Sequence, residues 1–173
     1  TRVWQDSWSL WRYTIERDPE NSFAYNQLGV LYRTAGDSVR ATELFETAVR
    51  VDPTSYLAYE NRGIMRFNAG DEAGALADWE RAIALNGRRP IPIVNRGTMR
   101  FQTGDFAGAR ADYERALELD QDQPGPWYML ASTRLKLGDP PGARAALARC
   151  LELTAPGTPL HEQARKFEAS LTP

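Results

Sequence analysis

The chain has 173 residues, 42% hydrophobic and 25% charged, with a net charge of −2. That is the composition of a folded globular protein, long enough for one ordinary domain or one short array, and it offers no basic field to hold nucleic acid. A single cysteine, Cys150, and a single histidine, His161, exclude an internal disulfide framework, a thiolate zinc cluster and a His-based metal site, so no metal or cofactor is expected. No apolar run approaches the roughly 20 residues of a membrane helix, so membrane insertion by this segment is not expected. The chain begins at Thr1, without Met and without a signal-peptide pattern, and is expected to be a piece of something longer or a processed product.

The first predicted element lies in WQDSWSLWRYTIERDP, where Trp4, Trp8, Trp11 and Ile15 fall at i, i+4, i+7 and i+11. A helical pair follows. Tyr25, Leu28, Gly29 and Tyr32 make one stripe, Gly36-Asp37 breaks it, and Ala41, Phe45 and Ala48 make a second. Glycine supplies a left-handed C-terminal cap and aspartate the next N-cap. Asp52-Pro53 closes the pair, because a residue before proline avoids the helical region.

The pair then recurs. YNQLGVLYRTAGD at Tyr25 returns 34 residues later as YENRGIMRFNAGD. NRGIMRFNAGD at Asn61 returns after another 34 as NRGTMRFQTGD, identical at eight of eleven positions. GARADYERALEL at Gly108 returns as GARAALARCLEL at Gly142. Four copies result, at residues 22–55, 56–89, 90–123 and 124–157, with ten helices expected in all and no sheet. Small residues hold fixed columns, Gly29, Gly63, Gly97 and Ala131 in the first helix and Ala41, Ala75, Ala109 and Ala143 in the second, where they let helices approach closely. Pro19 lies 34 residues before Pro53, so residues 1–21 read as the second helix of an incomplete repeat. Leu160, Ala164, Phe167 and Leu171 make residues 158–173 a helix that caps the last repeat's apolar face.

The pattern of Tyr25, Leu28, Gly29, Tyr32, Ala41, Phe45, Ala48 and Pro53 at a 34-residue period resembles the tetratricopeptide repeat. Gly87 and Gln121 depart from it at the closing proline, and Cys150 at the last alanine. The resemblance implies an all-α, right-handed superhelix, a solenoid whose first helices line a concave groove.

Catalytic chemistry is not expected of this segment. The glycines are isolated and periodic, with no phosphate-binding loop. Cys150 shares the column of Ala48, Ala82 and Ala116 and reads as a small core residue. His161 is expected on the exposed side of the last helix, and pairs such as Asp71/Glu72 sit where a helix dipole favours carboxylates.

Two columns vary together. One reads Leu28, Arg62, Arg96, Leu130; sixteen residues on, the other reads Leu44, Asp78, Asp112, Ala146. Arginine occurs only where aspartate does, which predicts ion pairs Arg62–Asp78 and Arg96–Asp112. Arg66 and Arg100 are weaker competitors, since Arg134 fills their column in a copy that has Ala146 and no aspartate in the second column.

A third column reads Gln27, Asn61, Asn95, Met129. On the concave face it is similar to the asparagine ladder in the repeat region of O-GlcNAc transferase, where amides grip a peptide backbone as donor and acceptor. These residues are expected to be largely exposed, with Phe23, Leu57 and Ile91 as an apolar edge; the plain alternative is a solvated helix face. A carboxylate clamp is excluded, because Val30 and Ile91 stand where two of its polar residues would be.

The expected function is a protein-interaction scaffold that binds an extended peptide in its groove. A second reading comes from Trp4, Asp6, Ser7, Leu10, Trp11, Asp18, Pro19, Glu20 and Asn21, which resemble the junction before the repeats of integral-membrane protein O-mannosyltransferases. That resemblance implies the extracytoplasmic, non-catalytic arm of a membrane-anchored glycosyltransferase, presenting acceptor protein. A third reading is self-assembly into a homo-oligomer through the N-terminal tryptophan helix.

Overall fold

The computed structural model describes residues 7–171, so Trp4 and Asp6 lie outside the described residues. Among those described there are ten helices and no strand. The Gly-Asp pairs set the turns. Gly36, Gly70, Gly104 and Gly138 all take positive φ, between 76° and 85°, which costs glycine little. Asp37, Asp71, Asp105 and Asp139 then each accept the backbone N–H three residues on. Such a cap contributes about 1 kcal/mol.

The chain divides into two compact units, Thr1–Gly87 and Arg88–Pro173. The first holds α1 (Ser7–Arg17), α2 (Ser22–Thr34), α3 (Ser38–Val51), α4 (Tyr56–Asn68) and α5 (Glu72–Leu85). Phe45 and Trp79 anchor its two helical pairs, each buried against a glycine. A Cβ on Gly29 would lie 2.7 Å from the Phe45 ring, and one on Gly63 would lie 2.5 Å from the Trp79 indole nitrogen. The glycines of the first-helix column are therefore places where an aromatic ring crosses a bare backbone. Helix α1 packs on α2, with Trp8 edge-on to Tyr32 at 4.7 Å and Trp11 edge-on to Phe23 at 5.6 Å. None of its residues is fully buried.

The second unit holds α6 (Pro90–Gln102), α7 (Phe106–Leu119), α8 (Pro124–Lys136), α9 (Pro140–Glu152) and α10 (Pro159–Ser170). Tyr113, Leu130, Leu147 and Cys150 form its core. Ala164 of α10 is buried in that core, with Leu160, Phe167 and Leu171 packed beside it. Cys150 is wholly enclosed, and burial pushes its thiol pKa up, away from the nucleophilic thiolate. His161 is not on an exposed side as its position suggested. It is half-buried, with Nδ1 at 3.1 Å from Thr154 Oγ1 and 3.2 Å from the Thr154 carbonyl oxygen. Thr154 lies just past the end of α9 and offers two oxygens that the ring turns inward to meet.

Candidate functional site

Helix α4 carries Arg62 one turn ahead of Arg66, and both reach Asp78 on α5. Arg62 donates from Nε at 2.8 Å and from its terminal nitrogen at 2.6 Å, and Arg66 adds a third bond at 3.0 Å. Asp112 in the second unit receives the same three, at 3.0 and 2.6 Å from Arg96 and 2.8 Å from Arg100. The Asp78 and Asp112 side chains are each only 4% exposed. Arg66 and Arg100 thus join the pairs rather than compete for them, because a carboxylate has lone pairs enough for three donors. The Asp78 hydrogen bond raises the Arg62 pKa against the opposing effect of burial. Arg134, with Ala146 in place of the column aspartate, donates to Glu114 at 3.0 Å and to the Gly142 carbonyl at 3.2 Å. This arrangement engages Asp78 and Asp112 in holding helices together.

The asparagine column divides. Asn61 was expected on an exposed face and is instead buried, at 7% exposure. Its Nδ2 donates to Asn26 Oδ1 at 2.9 Å and to the Leu57 carbonyl at 3.1 Å, while its Oδ1 accepts from Arg33 at 3.0 Å. Asn26 donates in turn to Gln27 Oε1 at 3.3 Å. The expected ladder is here a polar chain binding α2 to α4. Its burial follows from α2, which supplies both an acceptor and a cation. The columns carry that signal: Asn26 and Arg33 occur in the first copy only, where the second has Glu60 and Phe67. Of the apolar edge, Phe23 stays half exposed but is met edge-on by Trp11, and Leu57 is half-buried.

Asn95 differs. Its Nδ2 is buried and has no hydrogen-bond partner. It lines a cleft of about 590 Å³ in the second unit, together with Ile91, Val94, Leu119 and Pro126. Ile91 is 44% exposed and Leu119 39%. Val94, Leu119 and Pro126 escape a column-by-column reading, because the three elements that hold them meet only in the fold.

The junction residues also have local work. Asn21 caps α2 by accepting from the Ala24 N–H at 3.0 Å and donates to Asp18 at 3.1 Å.

Residues 26–90 and 100–164 match the tetratricopeptide repeat family. Among solved structures, the chain is similar to pilF of Pseudomonas aeruginosa, with a TM-score of 0.78 and 22% identity over 93% of this chain and 78% of that one. It is similar to MamA, with a TM-score of 0.72 and 22% identity over 90% of this chain and 87% of that one. It is also similar to TTC0263, a thermophilic repeat protein of Thermus thermophilus, with a TM-score of 0.69 and 23% identity over 95% and 88% of the two chains. At these identities the likeness is one of fold. A search of the curated proteins finds no match.

Proposed function

We propose, of a chain that belongs to the tetratricopeptide repeat family, that it holds an extended segment of a partner protein in the cleft of its second unit. The fold is that of a protein-interaction scaffold; the cleft and its use are the finer reading. One observation carries it, the unpartnered amide of Asn95 beside the exposed Ile91. A buried donor without an acceptor costs about 1–3 kcal/mol. Asn61 avoids that cost with three bonds, which hold it still. Asn95 Nδ2 has no such bond, so a turn of the side chain brings it to the cleft, where a main-chain carbonyl can accept. A backbone carbonyl is the acceptor that any extended peptide supplies.

The probe is a set of peptides selected on the whole chain from a random 12-residue display library. Asn95→Ala should weaken the peptides that occupy the cleft roughly tenfold, with no loss of thermal stability. Peptides that bind wild type and Asn95→Ala equally well would overturn the assignment of the amide.

A further inference from the structure

The cleft has walls of unusual chemistry for a place where two helices begin. Helix α6 starts at Pro90 with a second proline at Pro92, and α8 starts at Pro124 with a second at Pro126. The free N–H groups of a first helical turn normally attract carboxylate and phosphate. A proline ring removes the N–H and puts hydrocarbon in its place. In both helices, two of the first three residues have lost their donor. The N-cap residues, Arg89 and Gln123, make no side-chain cap bond.

The remaining wall agrees. Ile91 and Val94 of α6 face the cleft with Leu119 at the end of α7. Asp120 adds a carboxylate, which accepts from the Asp122 N–H at 3.1 Å and from Gln123 at 2.9 Å. Arg89 also borders the cleft, and it is already engaged. An anion entering here would meet the Asp120 carboxylate and, at the two proline-started helices, few backbone donors. An aliphatic side chain would meet aliphatic surface and proline rings. A volume of about 590 Å³ accommodates such a side chain with its flanking main chain.

Resting on the peptide reading above, we infer that the cleft selects a neutral, branched aliphatic residue of the partner segment, leucine, isoleucine or valine, and rejects acidic or phosphorylated residues. Asn95 takes the main-chain carbonyl beside that residue. Recognition is then of one apolar anchor rather than of a charge.

The test uses the same display library on the whole chain, and keeps the peptides whose binding is lost with Ile91→Arg. Ile91 is exposed, so this variant should keep the wild-type melting temperature. The retained peptides are expected to share one position filled by leucine, isoleucine or valine. Synthetic versions with alanine there should bind roughly tenfold more weakly or worse, and versions with aspartate or phosphoserine weaker still. Pro90→Ala with Pro126→Ala, which returns two N–H groups, should reduce the aspartate penalty by roughly threefold or more. Retained peptides with acidic or phosphorylated anchors, or with no shared anchor, would overturn the aliphatic inference and leave peptide capture standing. Failure to find any peptide sensitive to Ile91→Arg or Asn95→Ala would sink both.

Discussion

Asn61 and Asn95 hold the same column one repeat apart, and their neighbours give them opposite roles. Asn61 satisfies Asn26, Leu57 and Arg33 together, so Asn61→Ala should destabilise by about 1–3 kcal/mol, mostly by stranding partly buried partners. Asn95→Ala removes an unpaired donor and should be neutral or slightly stabilising. Denaturant titration of the two variants decides it, and equal losses would contradict the assignment. Tyr113 offers a second measurement at this scale. Burial pushes its pKa from 10.0 up to about 12, more than its bond to Thr98 lowers it. Below pH 10 the phenol is neutral whether folded or unfolded, and its full contribution is present. Between pH 10 and about 12 only the unfolded phenol ionises, and about 2–3 kcal/mol is lost. Stability of Tyr113→Phe should therefore fall less over that window than wild type; parallel curves would show that Tyr113 is not held neutral.

At the scale of helices, the arginine–aspartate groups bind α4 to α5 and α6 to α7. Asp78 is nearly enclosed with two arginines on it. Arg62→Leu leaves part of that charge unmatched and should cost about 2–4 kcal/mol, toward the low end because Arg66 remains. The first copy places Leu28 with Leu44 at these columns, an apolar solution of similar size. Arg62→Leu with Asp78→Leu should recover much of the loss, short of all, since Arg66 then loses its shortest bond and keeps only the Gly74 carbonyl and the longer contact to Asp71. The double-mutant coupling energy measures this, and a value near zero would mean independent residues. The pairing was legible because two columns change together. The third donor was legible only as a competitor, because Arg66 lies one turn along and the column alone does not say that its side chain reaches the same carboxylate beside Arg62. The Gly-Asp turns were legible for a local reason: positive φ and an N-cap each depend on one residue and its neighbours.

For the whole molecule, a net charge of −2 and a cleft with few free donors predict an association that salt hardly touches. Affinity for a cleft-binding peptide should change less than about threefold between roughly 0.05 and 0.5 M salt. A much steeper fall in titration calorimetry would assign binding to surface charges elsewhere. The sequence by itself determined the repeat period, the ten helices found among the described residues, the Gly-Asp turns between them and the columns that meet inside each pair, because all of these follow from local dihedral preference and a 34-residue echo. Only the tertiary structure decided which asparagine is tied and which is unpaired, that His161 turns inward to Thr154, and that Ile91, Val94, Leu119 and Pro126 border one cleft. Those outcomes depend on side chains from separate helices meeting in space. A residue's column fixes its place on its own helix, and the neighbouring helices decide what that place faces.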